Sequence, residues 1–127
     1  MLITGGSPSS SVGKSVEVFN PRTNSSCSLR DLPGEVRYRH SLCRDLLCGG
    51  RDSSSTRRSC LKLDPQTGVF TPTSVSLEEE RFFYQCWDVE GEGVLLIGGN
   101  FSPRSTELVS PDGSSSTAGF TLPYNTR

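Results

Sequence analysis

The chain has 127 residues, of which 32% are hydrophobic, and a formal net charge of −1. This length suits one domain of modest size, and the near-neutral charge excludes the basic surface on which nucleic-acid binding depends. No apolar run approaches the roughly 18 residues that a membrane-spanning helix needs. Thirteen Gly and eight Pro favour many turns over long helices.

The first element along the chain is a short phrase that recurs twice. Residues 2–6 read Leu-Ile-Thr-Gly-Gly, residues 46–50 read Leu-Leu-Cys-Gly-Gly, and residues 94–99 read Val-Leu-Leu-Ile-Gly-Gly. A short apolar run that does not alternate and ends at Gly is typical of a strand buried on both faces. Gly50 follows Gly6 by 44 residues and Gly99 follows Gly50 by 49, a spacing typical of propeller or solenoid repeats. The phrase therefore predicts three repeated units.

Each phrase is followed by the same elements: a polar loop, a strand, a turn and a further strand. The predicted third strands are residues 15–19, 59–63 and 105–109, and the predicted fourth strands are residues 26–29, 69–71 and 120–122. In the second and third units an opening strand precedes the phrase and ends near Cys43 and Val89. A complete unit is therefore predicted to be four short antiparallel strands.

Four-stranded units with a Gly pair after the second strand resemble kelch repeats of β-propellers. The residues that carry the resemblance are the three Gly pairs, the Arg-x-x-His-Ser of residues 37–41, the Ser-x-Glu-x of residues 15–18 with Pro21, and Phe70. Tyr84 stands where the family has His. The resemblance implies an all-β fold, a kelch-like β-propeller fragment that forms an open arc of four-stranded antiparallel blades.

We interpret residues 1–127 as a single incomplete propeller with repeat units at about 1–33, which is partial, 37–75 and 81–122. Kelch-like propellers close with several more blades, and each blade needs a neighbour on both sides to bury its faces. We therefore expect the chain to be a fragment of a larger protein, with open-ended blades that favour self-association.

The five cysteines are an odd number. Cys48 ends a predicted second strand and Cys60 begins the third, and adjacent antiparallel strands bring such positions within bonding distance. This placement predicts a Cys48–Cys60 disulfide, with two small buried thiols as the alternative. Cys27 could pair with Cys43, and Cys86 has no clear partner in the sequence.

A zinc site is an alternative use of some of these residues. His40, Cys43, Cys48 and Cys60 have the right ligand types, but the short Cys-x-x-Cys spacing of structural zinc sites is absent. We therefore predict no metal site and no cofactor.

Two N-glycosylation sequons, Asn24-Ser25-Ser26 and Asn100-Phe101-Ser102, fall in a predicted turn and a predicted loop. Together with the cysteines they favour an extracellular or secreted protein. The alternative is a cytoplasmic protein in which the cysteines stay reduced.

Two charged positions recur between units. Glu17 corresponds to Glu107, and Arg37 corresponds to Arg81. Because a repeated acid and base without a surrounding cluster of titratable groups suit structural contacts, we predict a structural role for them.

Aromatic residues crowd the opening of the third unit. Such a cluster can form a ligand-stacking surface, but it is more often core, and we predict core between blades for Phe82, Phe83, Tyr84 and Trp87.

The resemblance implies a non-enzymatic module that binds a protein or glycan through its loops. By loop position, the candidate binding residues are Arg51, Asp52, Arg57, Arg58, Asn100 and Arg104. One alternative is a fragment of a kelch-like copper radical oxidase, against which the single His counts, because such a site needs paired His and Tyr ligands. Another alternative is a fragment of an intracellular kelch adaptor for ubiquitin ligases.

Overall fold

The computed structural model describes residues 2–4, 14–34, 37–51, 55–100 and 103–124. In these residues the regular structure is eleven β-strands in three antiparallel sheets. Sheet I contains β1 (Leu2–Thr4), β2 (Val16–Asn20) and β3 (Ser25–Ser28). Sheet II contains β4 (Ser41–Cys43), β5 (Leu46–Cys48), β6 (Ser59–Asp64) and β7 (Val69–Ser76). Sheet III contains β8 (Gln85–Val89), β9 (Gly93–Ile97), β10 (Thr106–Val109) and β11 (Ser116–Ala118).

Every strand pairs with the strand that follows it in its own sheet. The predicted all-β fold with antiparallel four-stranded units is therefore confirmed for sheets II and III, and sheet I has three strands in the described part of the chain. The described segments contain no helix that is long and apolar enough to cross a membrane.

Of the three strands predicted to be buried on both faces, β5 is buried on both, whereas β9 and β1 are only partly buried, because Leu95 and Ile97 in β9 and Leu2 and Thr4 in β1 are half-buried. Leu46, Leu47 and Cys48 of β5 are each at most 1% exposed, as are Val94 and Leu96 of β9. Neighbouring sheets cover both faces of β5. Leu47 packs with Val16 of sheet I on one face, and Leu46 packs with sheet III on the other. Sheet II therefore lies between sheets I and III.

The second Gly pair lies where two units meet, the third contacts the opening segment of its own unit, and the pair at residues 5–6 falls outside the described residues. Gly49 and Gly50 have φ of +61° and +84°, which L-residues with side chains rarely adopt. A Cβ on Gly49 would lie 2.4 Å from the carbonyl oxygen of Arg81. The pair therefore permits the close approach between sheet II and the opening segment of the third unit.

The predicted fourth strand of the third unit is wrong. The strand that pairs with β10 is Ser116–Ala118, not residues 120–122. A tight turn makes this strand begin earlier than predicted, because Ser114 and Ser110 donate hydrogen bonds to Asp112 within the turn. These bonds, first that from Ser114 and then that from Ser110, lower the pKa of the Asp112 carboxyl to about 2. The chain after Ala118 still follows β10, since Gly119 N–H donates to the Thr106 carbonyl at 2.8 Å.

Two disulfides link the described cysteines. The predicted Cys48–Cys60 bond is confirmed, because these residues are direct partners in the β5–β6 ladder with Cα atoms 4.1 Å apart. The second bond joins Cys43 to Cys86, which connects sheet II to sheet III. The proposed Cys27–Cys43 pair is wrong, and Cys27 is a free, exposed cysteine on β3. The zinc alternative is also wrong, because three of its four ligands are consumed by these disulfides.

Candidate binding cleft

Buried guanidinium groups hold the opening segment of each complete unit in place. Arg37 donates to the carbonyls of Gly49 and Ser59 at 2.9 and 3.0 Å. Arg81 donates to the equivalent carbonyls of Gly98 and Ser105 at 2.7 and 3.2 Å. Both segments are therefore tied in the same way to the first Gly of the pair and to the start of the third strand.

The predicted structural role of the recurring charges is confirmed in the third unit. Arg81 and Glu107 are fully buried and form an ion pair at 3.3 Å. The second oxygen of Glu107 accepts the backbone N–H of Glu78 at 2.6 Å. In the second unit Leu61 occupies the position of the acid, and burial lowers the pKa of Arg37.

The residue two positions after each arginine has a left-handed backbone. Arg39 has φ of 59° and Phe83 has φ of 56°, although neither is Gly, Asn or Asp. Such a conformation costs about 1–3 kcal/mol for a residue with a side chain. Its occurrence at equivalent positions of two units shows that the turn is a property of the repeat, and it directs both side chains to the same region.

A cleft of about 610 Å³ lies at this region, which we call the Arg39 cleft. It is lined by Arg39, His40, Ser41, Phe83, Tyr84, Gln85 and Asn100. The guanidinium carbon of Arg39 lies 4.3 Å from the centre of the Phe83 ring, within the range of a cation–π contact. No carboxylate of the described residues forms an ion pair with Arg39.

His40 joins the cleft to sheet I. Its Nε2 atom lies 2.8 Å from the Thr4 hydroxyl, and its Nδ1 atom is buried without a hydrogen-bond partner among the described residues. Burial, and then the positive charge of Arg37, lower the pKa of His40 to about 4. The imidazole is therefore neutral at pH 7.

Tyr84 occupies the same repeat position as His40 and connects sheets II and III. Its hydroxyl donates to the Cys48 carbonyl at 2.6 Å and accepts the Ser41 N–H at 3.3 Å. Burial raises the pKa of Tyr84 far above its usual value. His40 and Tyr84 are thus both neutral at pH 7. The positive charge of the cleft therefore comes from Arg39.

Of the predicted loop residues, only Asn100 lines the cleft. Asp52 lies outside the described residues. The remaining four arginines lie elsewhere. Arg51 places its guanidinium 4.9 Å from the Phe82 ring, Arg58 donates to the Glu78 carbonyl at 3.1 Å, and Arg104 donates to the Leu122 carbonyl at 2.9 Å. Arg57 is half-buried and donates its backbone N–H to the Gly50 carbonyl at 2.8 Å.

The predicted aromatic core is half right. Phe82 and Tyr84 are buried, whereas Phe83 is 49% and Trp87 69% exposed. Arg39 and Phe83 were not among the binding residues predicted from the sequence. The available signal was the repeated arginine two positions upstream of each, Arg37 and Arg81. The positive φ that exposes the two side chains cannot be predicted from their residue types.

The two sequons differ in their surroundings. Asn24 is exposed at the end of the β2–β3 turn with φ of 53°, whereas Asn100 lines the Arg39 cleft and its sequon continues into residues outside the described part.

Comparison of the chain with known protein families finds no match. Comparison with curated proteins finds no relative either.

Proposed function

We propose that this chain is part of a kelch-type β-propeller and acts as a non-enzymatic scaffold that binds a protein or glycan partner. Three antiparallel sheets stacked in chain order support the architecture. The repeated arginine ties between opening segment, Gly pair and third strand support it further.

The observation that carries the binding function is the pair Arg39 and Phe83. Both residues adopt a costly left-handed backbone, and their side chains meet at the rim of a cleft of about 610 Å³. Backbone strain of this kind is common at ligand sites. An exposed guanidinium lying on an aromatic ring suits a partner that presents a carboxylate or sulfate beside an apolar surface.

The surroundings of the cleft favour binding over catalysis. His40 is neutral and hydrogen-bonded to Thr4, and the Tyr84 hydroxyl is bonded to a backbone carbonyl. Neither is positioned as part of an acid–base pair, so the copper oxidase alternative gains no support from them.

The two disulfides suit an oxidising environment. They favour an extracellular protein over the intracellular adaptor alternative, since thiols of cytosolic proteins are kept reduced.

The test presents the whole chain to arrays of acidic and neutral peptides and glycans. We expect capture of acidic ligands, and at least a tenfold loss of affinity in Arg39→Ala and in Phe83→Ala. Arg58→Ala is the matched control, because Arg58 is an exposed arginine that does not line the cleft. Unchanged affinity in both cleft variants, or no captured ligand at all, would overturn the proposal.

A further inference from the structure

The Arg39 cleft lies between the opening segments of two units. Residues 39–41 of the second unit line one wall, and residues 83–85 of the third unit line the other. Strand β4 begins at the end of the first wall, and β8 begins at the end of the second. The disulfide between Cys43 and Cys86 joins these two strands. It therefore fixes the spacing of the walls beside the cleft.

The two strands that this bond joins have little other support. They are edge strands of different sheets, since β4 pairs only with β5 and β8 pairs only with β9. No ladder joins β4 to β8 in the described part of the chain. β4 is three residues long, and all three are half-buried. Because segments with few buried contacts open locally at a lower free energy than the core, each wall can move with its strand once the bond is broken.

The other contacts between the walls are hydrogen bonds and packing. The Phe83 N–H donates to the Arg39 carbonyl at 3.1 Å, and the Tyr84 hydroxyl accepts the Ser41 N–H at 3.3 Å. Tyr84 also donates to the Cys48 carbonyl at 2.6 Å and belongs to the buried core between sheets II and III. We expect this core to hold the two sheets together without the bond, while the spacing of Arg39 and Phe83 at the exposed rim becomes variable.

The two disulfides differ in their access to a reductant. Cys48 and Cys60 are 1% and 0% exposed. Cys43 and Cys86 are half-buried and pack at the border of the core. Because thiol–disulfide exchange needs access of the attacking thiolate to a sulfur atom, a dithiol reaches the Cys43–Cys86 bond first.

We propose that the Cys43–Cys86 bond is the site of a thiol–disulfide exchange that regulates the Arg39 cleft. With the bond intact, Arg39 and Phe83 are held at the spacing that binds an acidic group. After reduction by a dithiol, this arrangement is one of several, so an acidic group binds more weakly. The regulation rests on the proposed function, because it concerns the affinity of the same cleft.

The exchange proceeds in two steps. A thiolate of the dithiol attacks one sulfur of the bond, which forms a mixed disulfide and releases the other cysteine as a thiolate that takes up a proton. The second thiol of the dithiol then displaces the remaining protein cysteine, and the reagent leaves as its own disulfide. Two electrons and two protons pass to the protein in total, which leaves Cys43 and Cys86 as thiols.

The first measurement is the order of reduction. The Cys27→Ser chain is used throughout, so that the free, exposed thiol of Cys27 does not exchange with either bond. Dithiothreitol is added in increasing concentration, and the released thiols are alkylated and located by peptide mass spectrometry. We expect Cys43 and Cys86 to be labelled while Cys48 and Cys60 are still bonded. Earlier or simultaneous labelling of the buried pair would contradict the proposal.

The second measurement is the affinity of the cleft in the two states. The probes are a fluorescein-labelled tetraglutamate peptide and a fluorescein-labelled heparin tetrasaccharide, which present carboxylates and sulfates. If the binding arrangement falls to about one tenth of the population on reduction, the affinity falls about tenfold. Fluorescence anisotropy measures both states, and reoxidation should restore the affinity of the starting chain.

Two paired variants assign the effect to one bond. Cys43→Ser with Cys86→Ser should bind the probes as weakly as the reduced chain and should not respond to dithiothreitol. Cys48→Ala with Cys60→Ala is the matched control, because it removes the other disulfide, and it should still lose affinity on reduction. A control pair that no longer responds would assign the effect to the wrong bond and overturn the proposal.

Failure of the switch and failure of the proposed function give different results. Equal binding of a probe in both states would overturn the switch and leave the binding function intact. If neither probe binds the oxidised chain, the binding function fails, and hydrogen exchange decides the switch. Reduction should speed amide exchange in residues 39–43 and 83–87 and leave β6 and β10 unchanged. Unchanged exchange at the cleft, or loss of the far-ultraviolet circular dichroism of the folded chain on reduction, would show that the bond is purely structural.

Discussion

The second and third units place an arginine at the same position but surround it differently. Arg81 is fully buried and faces the carboxylate of Glu107, while Arg37 has Leu61 at that position and bonds to carbonyls and the Ser59 hydroxyl. The second unit instead links Cys48 to Cys60, the positions that Ile97 and Thr106 occupy in the third. The acceptors on Gly49 and Ser59 are thus sufficient for the Arg37 guanidinium, and the acid of the third unit adds a link to the Glu78 backbone.

The largest difference between the two units, in the free energy of unfolding, should appear when each arginine is replaced in turn. Arg81→Leu leaves the buried Glu107 without its partner, and breaking a buried ion pair costs about 3–5 kcal/mol. Arg37→Leu leaves only neutral acceptors without their donors, at about 1–3 kcal/mol. Urea unfolding under oxidising conditions measures both. The double variant Arg81→Leu with Glu107→Leu should recover part of the loss, and equal losses in the two single variants would contradict the comparison.

The two disulfides should also stabilise by different amounts. The Cys43–Cys86 bond spans 43 residues and the Cys48–Cys60 bond spans 12. From chain entropy alone they contribute about 4 and about 3 kcal/mol, respectively. Replacing each pair by Ala and measuring the free energy of unfolding tests this order. A larger loss from the short link would show that native contacts, rather than chain entropy, set the contribution.

A smaller change in the free energy of unfolding should appear on acidification, because the second unit has His40 where the third has Tyr84. The pKa of His40 is lowered to about 4 in the folded chain, against about 6.5 when unfolded. Protonation therefore favours the unfolded state, so His40 contributes stability that is present above pH 6.5 and is lost as the pH falls toward 4. The total is about 3 kcal/mol.

Carboxylates titrate in the same pH range, so the quantity to measure is the difference in the free energy of unfolding between the unmodified chain and His40→Gln. That difference in unfolding free energy should narrow or reverse between pH 6.5 and 4. A difference that stays constant over this range would rule out the titration of His40 as the cause.

The smallest effect on stability should come from removing the backbone strain at a left-handed residue. Arg39→Gly removes a strained side chain, and the gain of about 1–2 kcal/mol is partly offset by the greater freedom of the unfolded chain, about 0.4–1 kcal/mol. We expect a net stabilisation of about 0.5 kcal/mol together with loss of ligand binding. Arg58→Gly should destabilise instead, since no positive φ was found there. Destabilisation by Arg39→Gly would mean that its contact with Phe83 outweighs the strain.

Elements set by local pattern could be predicted from the sequence. The repeated Gly pairs and apolar runs identified the strands β5 and β9, and the neighbouring strands placed Cys48 beside Cys60. The turn between β10 and β11 is an exception, because Ser110, Asp112 and Ser114 form a hydrogen-bonded turn that starts the last strand before the more apolar residues at 120–122.

Features set by the packing of one unit on another could not be predicted. The Cys43–Cys86 bond depends on how β4 and β8 approach each other, which no spacing within one unit contains. The Arg39 cleft depends on two positive φ values at residue types that rarely adopt them. The loop arginines were chosen because their positions follow Gly pairs, but all four make backbone or ring contacts outside the cleft.

The bond between Cys43 and Cys86 also determines how the chain responds to mechanical force. If tension is applied at the two termini, the covalent link closes residues 43–86 into a loop that cannot lengthen. Sheet I and strands β9 to β11 lie outside that loop and are held by hydrogen bonds and packing alone, so they should separate before the residues inside it. Reducing both disulfides would release about 150 Å of hidden contour length, which gives a tethered molecule two distinct extensions according to its thiol state.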